Sequence, residues 1–240
     1  MFTINDFFTI GLIRKFLSDS TPAIVISALV LMVAAYLLGS INFAIIISGK
    51  KYHEDIRSHG SKNAGMTNMM RTYGRSAAAF TLIGDAAKAI VSCLIGYALL
   101  GLLGSFIGGF FCILGHVFPV FYRFKGGKGV VTAFATVLMC DPVVFLVLLV
   151  FFVLIVYFTK YISLGSIMCM LLYPILHDRF YALLGQAPSP LIPFTVMIAL
   201  VIVIKHWQNI KRLLSGKESK FSFKKSVKAP EDTTAKEDEQ

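Results

Sequence analysis

Long apolar stretches without charge constrain this chain more than any other feature. The first covers residues 23–48, which are 26 residues without Asp, Glu, Lys or Arg. At 1.5 Å of rise per residue, such a helix is about 39 Å long, enough to cross a bilayer with some tilt. Backbone groups in lipid must find their hydrogen bonds within the protein, so the stretch is predicted to be helical.

Six more apolar segments follow, separated by polar or basic connections. The seven segments cover residues 23–48, 76–100, 102–122, 130–140, 143–159, 162–177 and 191–204. They predict an all-α integral membrane protein with about seven transmembrane helices. Some are short, since an eleven-residue segment gives only about 17 Å of helix, and five or six full crossings remain an alternative.

Basic residues are distributed unevenly between the two predicted sides of the membrane. Alternate threading of the segments places 19 of the 23 Lys and Arg residues on one side and three on the other. Because cytoplasmic loops carry the excess of Lys and Arg, this side is predicted to be cytoplasmic, with the N-terminus outside and the C-terminus inside. No aromatic-basic platform lies outside the apolar segments, so the charge indicates a lipid surface and no nucleic acid.

Three regions follow one another along the chain. Residues 1–22 are predicted to form an interfacial segment, because Arg14 and Lys15 follow the apolar residues and do not precede them as in a secretory signal. Residues 23–218 form the predicted membrane domain. Residues 219–240 lack an apolar pattern and are predicted to be a disordered, charged cytoplasmic tail.

A polar segment, residues 55–71, has a composition that suits phosphate binding and is here called the first loop. Four side chains offer hydroxyl or amide groups: Ser61, Asn63, Thr67 and Asn68. Gly60 and Gly65 leave the backbone free to fold these groups into one pocket, and Arg71 can bind a phosphate through two hydrogen bonds. A polar turn between helices, with Asn and Ser as caps, is the alternative.

A second loop, here called the glycine loop, directly precedes an apolar segment. Its sequence is Lys125-Gly126-Gly127-Lys128-Gly129. If the following segment is helical, its first N–H groups point into the loop and attract anions. Gly129 stands where a nucleotide-binding loop has the Ser or Thr that holds Mg²⁺, so nucleotide hydrolysis is not implied. The alternative is a flexible basic turn at the membrane surface.

Two polar pairs lie on the same predicted side. His206 and Asn209 are three residues apart, share a helical face and could reach one substrate, although an amphipathic exit helix explains them equally well. Ser163 and Ser166 lie at the end of a span, where they either face the site or bond to the helix backbone.

Asp85, Lys88 and His116 are ionisable residues within apolar segments. Asp85 and Lys88 are three residues apart and can neutralise each other, so a structural ion pair is favoured over a substrate contact. His116 is interpreted either as a functional group or as a buried, hydrogen-bonded histidine.

Several catalytic and metal-binding signatures are missing. No His is followed five positions later by Asp, and neither a GxSxG nor an HExxH pattern occurs. The four cysteines form no CxxC pair, so no metal site and no redox pair are predicted.

Together, the polar clusters resemble the bacterial acyl-phosphate-dependent glycerol-3-phosphate acyltransferases, the PlsY family. The likeness runs from about residue 30 to 218, and three motifs carry it. The first comprises Gly39-Ser40, Asp55-Ile56-Arg57 and Gly60-Ser61-x-Asn63-x-Gly65-x-Thr67-Asn68-x-x-Arg71. The second is Gly115-His116-x-x-Pro119 with Phe124-Lys125-Gly126-Gly127-Lys128-Gly129, and the third runs from His206-x-x-Asn209 through Glu218. Asn42 stands where the family usually has Pro, and Lys62 replaces a common Gly.

The resemblance implies transfer of a fatty acyl group from acyl phosphate to the 1-hydroxyl of sn-glycerol 3-phosphate, giving lysophosphatidate and phosphate without a cofactor. This is the first step of phospholipid synthesis, at the cytoplasmic face of the bacterial inner membrane. The implied catalytic residues are Ser61, Arg71, His206 and Asn209, and Glu218 would support integrity. The expected substrate contacts are Asn63, Thr67, Asn68, Lys125, Gly126, Gly127, Lys128, Gly129 and Ser163. The alternative function is a membrane carrier for organic phosphates that uses the same loops without chemistry.

Overall fold

The computed structural model describes residues 21–185 and 189–221, and these form nine α-helices without a β-strand. The helices are α1 (Thr21–Ser40), α2 (Phe43–Tyr52), α3 (Met66–Tyr73), α4 (Arg75–Val117), α5 (Val130–Cys140), α6 (Pro142–Thr159), α7 (Ile162–Leu183), α8 (Ile192–Lys205) and α9 (Trp207–Leu214). The predicted all-α fold is confirmed. The predicted segments 1–22 and 219–240 lie outside the described residues, apart from residues 21–22 at the start of α1 and residues 219–221.

The predicted continuous helix over residues 23–48 is wrong, because the chain leaves the helical conformation at Ile41 and Asn42. Asn42 has an extended backbone, with φ −105° and ψ 108°, and its side-chain oxygen accepts a hydrogen bond from the Ile45 N–H. Asn42 is therefore the N-cap of α2. Residues 41–42, here called the break, separate α1 from α2 without interrupting the apolar pattern, so hydropathy does not reveal them.

The helix α4 folds back on itself at Leu100 and Gly101, which have non-helical backbone angles. This confirms the predicted boundary between the segments 76–100 and 102–122. A Cβ atom on Gly104 would lie 2.0 Å from the Gly96 carbonyl oxygen. One on Gly108 would lie 2.3 Å from the carbonyl oxygen of Ser92. The two arms are therefore antiparallel and pack backbone against backbone, which small residues permit between membrane helices.

Three stretches of the described chain are long and apolar enough to cross a membrane: Thr21–Tyr52, Arg75–Tyr122 and Pro142–Thr159. The pair α8 and α9, bent by 59°, would make a fourth if it counts as one span. Lipid-facing apolar side chains such as Phe158 remain exposed. The buried core joins five helices through Phe106, Val137, Leu148, Tyr173 and Ile198.

A buried polar cluster lies at the end of α5 that is remote from the glycine loop. The Tyr173 hydroxyl donates a 2.6 Å hydrogen bond to one carboxylate oxygen of Asp141, and His177 Nδ1 lies 3.0 Å from the other. Asp141 follows the last residue of α5, whereas Gly129 precedes its first residue. The eleven residues of α5 thus separate this cluster from the glycine loop.

Candidate active site

Asn68 closes the first loop from within. Its side-chain oxygen accepts the Ser61 N–H at 2.9 Å, and its amide donates to the carbonyl oxygens of Ile56 and His59 at 3.2 and 2.9 Å. Gly60 has a φ of +55°, and a Cβ atom there would lie 2.3 Å from the Asn68 side-chain oxygen. Asn68 is buried, and its side chain makes all three of these hydrogen bonds within the loop. The geometry therefore favours a role for Asn68 in positioning Ser61 over the expected contact with substrate.

The first loop and the glycine loop meet at Gly127. Its N–H donates a 3.1 Å hydrogen bond to the His116 carbonyl oxygen. A Cβ atom on Gly127 would lie 2.2 Å from His116 Nε2 and 2.6 Å from the Ala64 carbonyl oxygen of the first loop. Asn42, in the break, donates to the same Ala64 oxygen at 3.3 Å. The two predicted phosphate loops therefore lie side by side.

Arg57 connects the same two regions at a second point. Its guanidinium donates to the carbonyl oxygens of Tyr122 and Lys125, both at 3.1 Å, and pairs with the Asp55 carboxylate at 2.7 Å. No role for Arg57 is predicted from the sequence. Only its position in the first motif could have drawn attention to it, because local spacing cannot reveal a carbonyl partner 68 residues away.

Lys128 belongs to a network that joins four parts of the chain. Its ammonium donates to the Asn209 side-chain oxygen at 2.5 Å. The Asn209 amide and the Ser163 hydroxyl both donate to one oxygen of the Glu218 carboxylate at 2.7 Å. Arg212 Nε donates to the other oxygen at 2.7 Å. Ser163, expected to contact substrate, thus directs its hydroxyl to Glu218, and the four regions assemble around one carboxylate.

Positive charge exceeds negative charge around Lys128. Burial lowers the pKa of Lys128 to about 8, Glu218 acts in the opposite direction, and Arg212, Arg71 and Lys205 lower the pKa further. Burial raises the pKa of Glu218, but hydrogen bonds from Arg212, Asn209 and Ser163 bring it below its ordinary value. A bound phosphate would supply the missing negative charge next to Lys128 and Arg71.

The remaining predicted residues border the same region. Arg71 Nη2 donates to the Ser219 carbonyl oxygen at 3.4 Å. Ser61 and Lys125 are exposed, and Asn63 and Thr67 are half-buried, so their polar groups are accessible to a ligand.

His206 lies buried where α8 meets α9. Its Nδ1 lies 2.7 Å from the Ile202 carbonyl oxygen. A carbonyl oxygen can only accept, so this geometry assigns the hydrogen to Nδ1. In the neutral ring, Nε2 is then free to accept a proton.

A buried charged cluster lies beneath the two loops. Lys88 Nζ donates to the carbonyl oxygens of Gly39 and Ile41 at 2.9 and 2.6 Å. It also lies 2.9 Å from an Asp85 carboxylate oxygen and 3.0 Å from His116 Nδ1. The predicted ion pair between Asp85 and Lys88 is confirmed, and His116 is part of the same cluster.

Comparison with known proteins identifies the family to which this site belongs. A family model described as "Glycerol-3-phosphate acyltransferase" matches residues 29–216. The chain belongs to the glycerol-3-phosphate acyltransferase family. The acyltransferase is 37% identical to a glycerol-3-phosphate acyltransferase of Finegoldia magna over 196 residues, which are 80% of this chain and 96% of the relative. It is 39% identical to glycerol-3-phosphate acyltransferase 2 of Bacillus anthracis over 190 residues, with 79% and 97% covered.

Two solved structures are similar to the acyltransferase throughout the described bundle. Both are of PlsY (YgiH), described as an integral membrane glycerol 3-phosphate acyltransferase. The glycerol 3-phosphate form is 35% identical with a TM-score of 0.73, and the lysophosphatidic acid form is 34% identical with a TM-score of 0.71. Each match covers 82% of this chain and 96% of the other. The resemblance to the PlsY family is confirmed, and the chain is a multi-pass membrane acyltransferase of phospholipid synthesis.

Proposed function

We propose that the chain transfers a fatty acyl group from acyl phosphate to the 1-hydroxyl of sn-glycerol 3-phosphate, releasing lysophosphatidate and inorganic phosphate, as the first step of phospholipid synthesis. The observation that carries this proposal is the meeting of two phosphate-type loops at Gly127. Excess positive charge around Lys128 lies in the adjoining network. Both substrates carry phosphate, and the similar PlsY structures are described as glycerol 3-phosphate and lysophosphatidic acid forms.

The reaction needs no nucleophilic side chain, because the phosphate of an acyl phosphate is a good leaving group. The C1 hydroxyl oxygen of glycerol 3-phosphate attacks the acyl carbonyl carbon and forms the ester bond. The bond between that carbon and the phosphate oxygen breaks, and the phosphate leaves with the electron pair. The hydroxyl proton passes to His206 Nε2 or to a substrate phosphate oxygen. Acceleration comes from positioning and from charge neutralisation.

Each proposed role follows from the contacts of the residue. Lys128 and Arg71 bind phosphate oxygens, because their positive charges lie close enough to act on each other beside Glu218. Ser61 donates a hydrogen bond from a loop position that Asn68 fixes. Asn209 orients the Lys128 ammonium.

The proposed site faces the cytoplasm from a bacterial inner membrane, in a bundle of about seven transmembrane helices, some of them short, with the N-terminus outside and the C-terminus inside. The basic first loop, the glycine loop and residues 205–220 support this placement, because Arg57, Lys128 and Arg71 bring them together at one end of the bundle. The acyl chain would then lie between helices, open to lipid.

Purified protein in detergent tests the donor and the acceptor together. Glycerol 3-phosphate is supplied with palmitoyl phosphate, palmitoyl-CoA or palmitoyl acyl carrier protein, and lysophosphatidate is measured in each case. We expect product only from the acyl phosphate, with one phosphate released per ester formed. Product from a thioester alone would refute the proposed donor, and absence of product from all three would refute the function.

Ser61→Ala and Arg71→Ala are the matching variants, and each is expected to lower kcat/KM by about 100-fold or more, as loss of a transition-state contact does. Arg179→Ala is the control, since Arg179 is exposed at the far end of α7 and pairs only with its neighbour Asp178 among the contacts described. Near-normal turnover in Ser61→Ala or Arg71→Ala would reject the role of that residue.

A further inference from the structure

All the hydrogen bonds that Lys88 can donate are made to groups of the protein itself. Three acceptors lie within hydrogen-bond distance of its ammonium: the Gly39 and Ile41 carbonyl oxygens and His116 Nδ1. An Asp85 carboxylate oxygen lies 2.9 Å away and forms the ion pair. An ammonium has three N–H donors, so none remains for a substrate. Lys88 is also buried, at 3% exposure, whereas the side chains proposed to bind phosphate are accessible.

One arm of the Lys88 contacts leads to the first loop. The Gly39 and Ile41 carbonyl oxygens are freed where α1 ends at the break, and Lys88 satisfies both. The next residue, Asn42, caps α2 and donates to the Ala64 carbonyl oxygen. The backbone of the break, held by Lys88, therefore determines where Asn42 holds the first loop.

The other arm leads to the glycine loop. His116 Nδ1 lies 3.0 Å from Lys88 Nζ and 3.4 Å from an Asp85 carboxylate oxygen, so the ion pair holds this edge of the imidazole ring. The His116 carbonyl oxygen accepts the Gly127 N–H, and Nε2 lies where a Gly127 side chain would begin. Rotation or displacement of His116 would therefore displace Gly127.

We infer that Lys88, with Asp85 and His116, is a positioning residue that holds the first loop and the glycine loop in register for glycerol 3-phosphate binding. The inference rests on the proposed function. A buried ion pair that serves stability alone is often replaced by apolar residues of similar volume without loss. The carbonyl contacts of Lys88 give this pair a second role, because they define the relative position of two substrate-binding segments.

The double variant Asp85→Asn/Lys88→Met separates the two roles. It removes both charges together, so no unpaired charge is buried, but it leaves the Gly39 and Ile41 carbonyl oxygens without their donor. Binding of glycerol 3-phosphate to the full chain in detergent is measured by calorimetry, beside thermal unfolding. Direct binding does not require an acyl donor, so the result is independent of the donor identity.

We expect the folded double variant to bind glycerol 3-phosphate at least about tenfold more weakly, since small misplacement of binding groups has effects of this size or larger. Tyr173→Phe is the matched control: it removes a buried hydrogen bond to Asp141 at the other end of α5 and should keep the affinity within about twofold. A purely structural role for Lys88 would lower the unfolding temperature and leave the affinity of the folded protein unchanged.

The inference would be overturned if the double variant bound glycerol 3-phosphate with an affinity within twofold of wild type. It would also be overturned if Tyr173→Phe weakened binding as much as the double variant does. If the double variant does not fold, Lys88→Arg decides by the same measurement, because it keeps the charge but cannot place three donors at one point. Affinity reduced threefold or more in Lys88→Arg supports the inference, and unchanged affinity overturns it. An unchanged protein that binds no glycerol 3-phosphate would refute the proposed function, and this inference with it.

Discussion

At the scale of single residues, Gly127 is the point on which the site geometry depends most. Both phosphate loops and His116 come so close to it that there is no room for a side chain. Its backbone φ is not in the left-handed region, so the requirement for glycine comes from proximity and not from conformation.

Gly127→Ala is therefore expected to separate the loops and to weaken glycerol 3-phosphate binding by about tenfold or more. The Cβ atom would lie 2.2 Å from His116 Nε2 and 2.6 Å from the Ala64 carbonyl oxygen, and backbone cannot yield cheaply. Calorimetric binding measures the effect. Gly49→Ala is the control, since Gly49 lies within α2 and a Cβ atom there meets nothing within 4 Å. Equal affinities in the two variants would contradict the argument.

Lys128 is expected to give the reaction an alkaline limit. Its pKa is lowered to about 8, so above that pH the free enzyme loses the charge that attracts phosphate. The kcat/KM for glycerol 3-phosphate should fall above about pH 8, while kcat persists to higher pH because a bound phosphate raises the pKa of Lys128. In Lys128→Arg, the alkaline limit of kcat/KM should move upward, since arginine stays charged. An unchanged pH profile in that variant would exclude Lys128 as the titrating group.

The site could be predicted from the sequence only as far as its polar loops. Glycines, hydroxyls and basic residues identify the first loop and the glycine loop as phosphate-type, and their spacing does not require structure to be read. Partners distant in sequence are not encoded in spacing, so the contacts of Arg57 with the glycine loop, of Ser163 with Glu218 and of Asn68 within the first loop are not predicted. The substrate contacts expected of Ser163 and Asn68 stay predictions.

At the scale of elements, α4 forms a hairpin whose two arms pack against each other. The arms are in backbone contact because Gly96, Gly104 and Gly108 face each other or Ser92. Lys88 lies on one arm and His116 on the other, so the hairpin also brings the buried charged cluster together.

Gly104→Val should therefore lower the free energy of unfolding by about 1–3 kcal/mol, the usual cost of overpacking a tight contact. Its Cβ atom would lie 2.0 Å from the Gly96 carbonyl oxygen. Thermal unfolding in detergent measures the loss, with Gly49→Ala again as the control. An unchanged unfolding temperature would show that the arms separate without cost.

The sequence predicts a helix end where apolar residues give way to polar ones, and it does not predict an end within a continuous apolar stretch. The predicted segment 130–140 coincides with α5, and the segment 191–204 differs from α8 by one residue at each end. The helix α7 continues to Leu183, beyond the predicted 177, because Asp178 and Arg179 are polar but helical and pair with each other. The break after α1 is not predicted, because the stretch carries no charged residue and Lys88, which binds the Ile41 carbonyl oxygen, lies 47 residues away.

At the scale of the whole molecule, the site occupies one end of the helical bundle. Ser163, at the start of α7, contacts the Glu218 network, and Arg179 lies near the other end of the same helix. They are sixteen positions apart, which corresponds to about 24 Å of helical rise, most of a bilayer core.

Cysteine labelling tests the proposed orientation. The four native cysteines are buried, so a background with all four replaced by Ala can carry single Ser215→Cys or Arg179→Cys changes at exposed positions. In spheroplasts, a membrane-impermeant maleimide should label Arg179→Cys directly and Ser215→Cys only after permeabilisation. The reverse pattern would place the site on the outer face and refute the proposed orientation.

The position of Glu218 in the chain determines when during synthesis the site can be completed. Residues are added at the ribosome in chain order, so every helix of the bundle is already synthesised when residue 218 arrives. Before then, Lys128, Asn209 and Ser163 lack the common partner that joins them. A chain clipped just before this residue would keep every described helix but lack the carboxylate that joins its site.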